Sequence, residues 1–450
     1  MKQQTSRRTF LQRVAASAVA APFILPSRLW AAPTGPNSKL TLGFIGLGIQ
    51  GAGLLRGFLG RDDTQVLAVC DVDTTRRTAA KQRVDERYVN GDCAAYNDFR
   101  ELIARKDIDA VVIATPDHWH TVPTLAALRA GKDVFCEKPL THNIHEAVVI
   151  MKAVDENRRV LQTGSWQRSS TEFRIACELV QNGVIGRISH VECDFGGPGQ
   201  PCDLPEEESE PGLDWNLWCG PGPLRGYSSV LSPRGMHKHF PLWRKYKEYG
   251  GGGVCDMGAH HLDIAQWGLD MDKSGPVEVM PPAEERAQYG CKLVYANGIH
   301  LEHKKGFSVH FHGAGGEVKV ARGKFALIVD GKTIAEYIEN PPKKGEPARQ
   351  RVSSCAAEVQ KAERAFLGEA KIRLYNSKNH IFDFMDCVRS RKKPSTNEQV
   401  GGRSAICCHL MNQGYYHHAR FTWDPIRFKF TGGTGDPRWL TSDYRRPWSV

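Results

Sequence analysis

Leu40-Thr41-Leu42-Gly43-Phe44-Ile45-Gly46-Leu47-Gly48-Ile49-Gln50-Gly51 is the stretch from which the fold is read. Its first six residues form a short, mostly apolar run, the signature of a buried strand, and a helix-period pattern over 51–59 follows the glycines. Strand, G-x-G-x-x-G and helix in direct succession are the context in which a dinucleotide fingerprint works. Gly46 permits the tight turn, Gly48 lets a pyrophosphate approach the backbone, and Gly51 lets helix and strand pack closely. The free amides of the helix N-terminus then bind the anion. Asp71 closes the next apolar run, 25 residues after Gly46. There a carboxylate accepts from the adenosine ribose hydroxyls and repels a 2′-phosphate. NAD is the expected cofactor, and the neighbouring Arg76 and Arg77 leave NADP open.

On either side of the fingerprint the pattern repeats. Runs at 40–45, 66–70, 110–114 and 133–136 read as buried strands, alternating with helical stretches such as 51–59 and 122–130. That alternation predicts an α/β class, with a doubly wound parallel Rossmann sheet over 39–160. After Gln162 the texture changes to a helix at 170–181, then alternating strands at 188–195, 291–295, 299–303, 307–311, 317–320 and 325–329. These suit a second domain, 161–450, with a largely antiparallel or mixed sheet, two late helices at 379–389 and 402–419, and a tail at 423–425. Residues 198–253, rich in Trp, Pro and Gly, are too long for a passive connector and read as a binding insertion.

The 450 residues are 41% hydrophobic and 24% charged, which excludes wholesale disorder, a collagen-like fibre and a disulfide-stapled mini-protein. The formal charge is +10. Lys2, Arg7, Arg8, Arg13 and Arg28 lie in residues 1–32 without an acid, so the remainder is only mildly basic. No Lys/Arg block that tracks a phosphate backbone is present, and nucleic acid is not an expected partner. The 13 cysteines contain no C-x-x-C, so they show neither a zinc knuckle nor a full disulfide framework. Most are expected to be buried, and a Cys202 to Cys219 bridge is conceivable in an oxidising compartment.

Ser6-Arg7-Arg8-Thr9-Phe10-Leu11 precedes an apolar run over 14–25, the order of a twin-arginine export signal. About 12 residues at ~1.5 Å each cannot cross a layer of ~30 Å. Residues 1–32 therefore read as a signal peptide, with a periplasmic or other extracytoplasmic destination and no stable membrane span. The route moves folded proteins, which suits a tightly held cofactor.

Three further motifs follow the fingerprint: Thr115-Pro116-Asp117-His118-Trp119-His120, then Glu137-Lys138-Pro139, then Gly251-Gly252-Gly253-Val254-Cys255-Asp256-Met257-Gly258-Ala259-His260. In this order and spacing the chain, from Lys39 onward, resembles the glucose-fructose oxidoreductase, inositol dehydrogenase and MocA family. The resemblance implies an N-terminal Rossmann domain, a C-terminal α/β domain with an open, predominantly antiparallel sheet, and sugars, polyols or their derivatives as substrates. It places Lys138 beside the nicotinamide and the reacting hydroxyl, and Glu137 on the nicotinamide side of the cofactor. Thr115 and His120 belong to the loop beside the cofactor, and Asp256 and His260 match the family's acid and histidine. The extra His261 and the Trp-rich insertion depart from the plainest inositol dehydrogenases.

The residues themselves support that chemistry. Oxidising a secondary alcohol leaves a proton for a base near neutral pKa, a role suited to His. Asp256, His260, Asp263 and Trp267 are spaced 4, 3 and 4 apart and share a face of a helix opening after 250–253. Asp256 can hold the imidazole or a substrate hydroxyl, His260 can shuttle the proton and Lys138 can polarise the oxygen, whereas His261 and Asp263 read as structural. Arg168, Trp215, Tyr227, His237 and Trp243 are the candidate substrate contacts, since aromatic faces with polar partners suit a sugar. The competing reading of the insertion is a hydrophobic cluster of its own or an oligomer contact. No metal is expected, because His237, His239, His260 and His261 show neither a helical H-x-x-x-H nor H-E-x-x-H.

The leading function is an exported NAD-dependent oxidoreductase acting on CH–OH groups of a small sugar or polyol, as a homo-oligomer. The alternative is a redox-neutral enzyme that oxidises a glycoside ring hydroxyl, eliminates the aglycone and returns the hydride. A cofactor-bound sugar sensor is a third reading, against which Lys138 and His260 argue.

Overall fold

A computed structural model describes residues 39–338 and 355–450 of the chain; the signal expected at 1–32 lies outside them. Strands β1 (Leu40–Ile45), β2 (Thr64–Cys70), β3 (Ala94–Tyr96), β4 (Ala110–Ile113), β5 (Asp133–Cys136) and β6 (Leu161–Thr163) form one sheet in the order β3-β2-β1-β4-β5-β6. Every pairing in it is parallel. All residues of β4 and β5 are buried, because helices cover both faces, and this is why those strands read as unbroken apolar runs. The edge strands β3 and β6, three residues each, are too short to leave such a signal. The strand order reverses between β1 and β4, which opens a crevice at their C-terminal ends.

The second sheet has ten strands: β7 (Ile188–Cys193), β8 (Glu278–Met280), β9 (Lys292–Val294), β10 (His300–His303), β11 (Val309–Gly313), β12 (Gly316–Ala321), β13 (Lys324–Val329), β14 (Lys332–Tyr337), β15 (Phe421–Asp424) and β16 (Lys429–Thr431). Their order is β14-β13-β12-β11-β7-β10-β9-β8-β15-β16, and only β7 and β10 pair in parallel. The sheet is thus mainly antiparallel. Its inner face supplies Val191, Leu301, Phe311 and Val318 to a core shared with helices Thr171–Gln181, Gly258–Gly268 and Glu398–His417. The expected tail at 423–425 begins instead within β15, where Phe421 and Trp423 are buried.

Late segments return to the first sheet. Phe384, on helix His380–Ser390, meets Phe58 and Phe135 edge to face at 6.3 and 5.7 Å. Trp448 packs on Trp119 with ring centroids 4.7 Å apart. All 13 cysteines are free thiols, so the conceivable Cys202 to Cys219 bridge is not formed. Arg225 instead donates to Cys202 Sγ at 2.7 Å, and Cys219 is buried in the insertion's core. No helix among the described residues is long and apolar enough to cross a membrane.

Candidate active site

One cavity of about 310 Å³ runs from the glycine turn after β1 to the helix at Asp256, with the insertion forming one wall. At its first end Gly46 has φ +85°, a conformation closed to most side chains, and a Cβ at Gly51 would lie 2.0 Å from the Gly46 carbonyl oxygen. A Cβ at Gly48 would meet nothing within 4 Å, so the backbone there stays open to whatever occupies the cavity. Helix Ile49–Leu59 starts at Gly48 with no side-chain cap and no acid in its first turn, leaving its first amides available to an anion. These residues fit a dinucleotide.

Asp71 lines the same cavity. Its Oδ2 accepts from Leu47 N at 2.6 Å and its Oδ1 from Asp73 N at 2.9 Å, which locks the carboxylate beneath the glycine turn. Burial raises its pKa, opposed by the Arg76 charge and these two amides. Both arginines that left NADP open are engaged within the protein. Arg76 pairs with Asp73 and donates to Ser232 and to the Pro233 carbonyl, and Arg77 donates to Asn97, Thr74 and the Asp71 carbonyl.

At the other end, Lys138 Nζ donates to Asp256 Oδ1 and to the Asp256 carbonyl, each at 2.7 Å. Arg244 Nε stands 3.6 Å from the same Oδ1 and is held between the rings of Phe240 and Trp243. Burial opposes ionisation of Asp256, but the Lys138 and Arg244 charges outweigh it and hold the carboxyl below its usual range. His260 is buried with Nδ1 unpartnered. Burial first, then the Lys138 and Arg322 charges, depress its pKa well below the ordinary value, so the ring is neutral. Glu137 is buried, accepts from Gln50 at 2.7 Å, and is pushed upward by burial. His120 Nδ1 lies 2.6 Å from the Pro139 carbonyl and Nε2 3.0 Å from the Thr115 carbonyl. Burial lowers its pKa to about 4, so the neutral ring donates to one of the two and is a brace for the loop. Thr115 Oγ1 is a second buried polar atom of the lining with no partner.

The cavity therefore gathers Gly46, Gly48, Asp71, Thr115, His120, Glu137, Lys138, Asp256 and His260, with His237 and Trp243 from the insertion. Arg168, Trp215 and Tyr227 are not part of its lining. Arg168, 2% exposed, grips Asp263 and Asp272, and a guanidinium consumed by two carboxylates has nothing left for a substrate. Tyr227 donates to the Ser232 carbonyl inside the insertion's core, and Trp215 stacks on Trp218 at 4.5 Å. The insertion is thus both an independent cluster and a wall.

The helix expected to carry Asp256 through Trp267 is interrupted at Met257, into Gly252–Asp256 and Gly258–Gly268. Asp263 turns to Arg168 and Ser404, and His261 Nδ1 lies 2.6 Å from the Asp194 carbonyl. Each turn of helix rises about 5.4 Å, which carries the later residues of the face away from the cavity. Arg244, Arg322, Gln50, Trp166 and Asp117 also line the cavity and were not singled out as site residues. Arg244 adjoins Trp243 in the insertion, which was a usable signal. Arg322 lies in the turn between β12 and β13, where nothing in the local pattern marks it.

Residues 40–165 match a family model described as an oxidoreductase family with an NAD-binding Rossmann fold, and 166–337 match the C-terminal alpha/beta domain of the same family. A glycosyl hydrolase family 109 protein of Stenotrophomonas maltophilia is 27% identical over 232 residues, 47% of this chain and 49% of its own. Inositol 2-dehydrogenase of Salmonella typhimurium is 31% identical over 150 residues, 33% of this chain and 43% of its own. The chain spans less than half the length of these curated relatives. The solved levoglucosan dehydrogenase in complex with NADH covers 85% of this chain and 99% of its own, at 17% identity and a TM-score of 0.54, a likeness of fold.

Proposed function

The chain belongs to the oxidoreductase family of NAD-binding Rossmann and C-terminal alpha/beta domains, and from that premise we propose that it acts on a carbohydrate or polyol CH–OH group. The observation that carries the reading is the meeting of Lys138, Asp256 and His260 in one cavity with Gly48 and Asp71. Bound there, NAD supplies the two-electron acceptor. Lys138, held by Asp256, donates to the alcohol oxygen and favours its developing negative charge. His260, neutral, receives the hydroxyl proton. Trp243, beside the Arg244 that faces Asp256, bounds the substrate side, whereas His237 lines the cavity near Arg76 and Asp73 at the Asp71 end. Asp71 takes the adenosine ribose, Glu137 the nicotinamide end. The twin arginines at 7 and 8 support export by the twin-arginine route.

Purified protein, heat-denatured, is expected to release NAD(H), read by mass spectrometry. Incubated with sugars, the same batch should form NADH or a keto-sugar. Absence of any dinucleotide, with no saturable NAD or NADP binding, defeats the reading. The Stenotrophomonas relative supports a second use of the same residues, oxidation followed by elimination. Free aglycone from an aryl glycoside, without net cofactor reduction, would favour it.

Asp71→Ala is expected to weaken NAD binding about 10- to 100-fold, the worth of hydrogen bonds to a charged group. It should also narrow the preference over NADP, by removing the repulsion of a 2′-phosphate. Titration of both cofactors checks this, and an unchanged affinity ratio removes Asp71 from the ribose site.

A further inference from the structure

Strand alternation builds a second cluster of ligating side chains, on the face of the ten-stranded sheet opposite its core. On β7 Val191 and Cys193 are fully buried, so His190 and Glu192 project to the other face; on β11 Val309 and Phe311 are fully buried and His310 and His312 share that outer face. The register sets His312 opposite His190 on one side and opposite Glu317 of β12 on the other. The His190 and His312 rings stack at 4.1 Å and 7°. None of these residues lines the cavity described above.

The ligating atoms of His190, Glu192 and His312 all lie within 4.8 Å of one another. One carboxylate oxygen of Glu192 is 3.7 Å from His190 Nε2, and the other is 3.5 Å from His312 Nε2. His312 Nε2 is buried and has no hydrogen-bond partner. His190 Nδ1 is 3.0 Å from Ser189 Oγ, the kind of outer bond that orients a ligating imidazole and leaves Nε2 free. Nitrogen and oxygen ligands about 2.0–2.2 Å from a tetrahedral ion stand ~3.3 Å apart, so an ion here draws the three groups together and tilts the two parallel rings out of their stack until their lone pairs converge. Two imidazoles and one carboxylate suit a late first-row ion, whereas calcium and magnesium take all-oxygen sets.

We propose that His190, Glu192 and His312 form a binding site for a divalent transition ion of the zinc class, which ties β7 to β11 on the outer face of the sheet. Lys304 pairs with Glu192, and an ion bound there must displace that ammonium. The second group, His310, His312 and Glu317, competes for the same His312, but its His310 to Glu317 bond is already closed at 2.9 Å. One ion per chain is the consequence.

The test uses the full chain purified without a histidine tag, stripped with EDTA and dialysed. Zinc titration by calorimetry is expected to saturate at one ion per chain, and Co²⁺ should give the intense visible absorption of a tetrahedral site. His312→Gln and Glu192→Gln should each weaken zinc binding at least about tenfold. Lys304→Gln should tighten it, by removing the competing cation. Circular dichroism and retained cofactor verify the fold of each variant. No saturable binding at ~100 µM zinc, a far weaker affinity than a built site gives, overturns the proposal. So does one-to-one binding that survives both ligand substitutions, or an unchanged affinity in the Lys304 variant.

Discussion

Lys138→Ala and His260→Ala are each expected to keep the fold and the dinucleotide while lowering single-turnover oxidation about 10²- to 10⁴-fold, the range of general acid-base catalysis. The two groups serve one oxygen and one proton in one cavity, so the double variant should lose much less than the product of the single losses. A pH signature separates catalysis from packing. After burial, the Lys138 charge is the largest influence that depresses the His260 pKa. In the intact enzyme, activity should therefore persist below the ordinary histidine pKa of about 6.5. Removing Lys138 removes that repulsion, His260 protonates at higher pH, and the acid limb of the residual rate should move upward. Near-wild-type rates in either single variant take that residue out of the mechanism, and an unmoved acid limb denies the coupling.

Arg168→Ala should cost about 3–5 kcal/mol of stability, the usual penalty for breaking a buried ion pair by removing one partner. Arg168 and Asp263 are 2% and 1% exposed at their side chains, and Arg168 also stacks on Trp267 at 4.9 Å. Truncation leaves Asp263 with Ser404 as its remaining side-chain donor. Burial already raises the Asp263 pKa, and loss of the guanidinium raises it further. A carboxyl whose folded pKa lies above its unfolded value destabilises as pH rises through that window. The deficit should therefore be larger at pH 8 than at pH 5. Urea unfolding with an unchanged slope checks the size, and a loss below about 1 kcal/mol, the scale of an exposed ion pair, would show that the cluster is not a buried one.

Sequence legibility followed the length and repetition of local patterns. The glycine turn, β1, β2, β4 and β5 lie where their apolar runs end, because a strand covered on both faces carries an unbroken hydrophobic message. The edge strands β3, β6 and β16 and the interior strand β8, three residues each, carry too few side chains to show a period. At the site, Lys138, Asp256 and His260 were legible through the family resemblance of their motifs, helped by the strand and proline that flank Lys138 and by the four-residue spacing of Asp256 and His260. Arg168 was misread because an isolated arginine looks the same whether it meets a ligand or two distant carboxylates, and its partners lie about 100 residues away. The outer histidines carry no helical spacing; they lie two apart on a strand and across a strand pair, a proximity that only the register creates.

Four contacts fasten the insertion and its flank to the nucleotide half: Arg76 to Ser232 and Pro233, Thr74 to the Gly212 carbonyl, the Asp73 to Leu213 bridge, and Asn97 to Asp214 at 3.0 Å. Leu217, Trp218, Leu231 and Ser232 of the same segment line the cavity that holds Asp71. A dinucleotide seated there is roofed by a clasp, two of whose fastenings, at Arg76 and Asn97, lie on the pocket's own wall. The segment covers the Asp71 end of the cavity, and Lys138, Asp256 and His260 lie at the other. Contacts of the clasp and contacts of Asp71 are thus separate handles on the same bound dinucleotide, one on its way out and one on its seat.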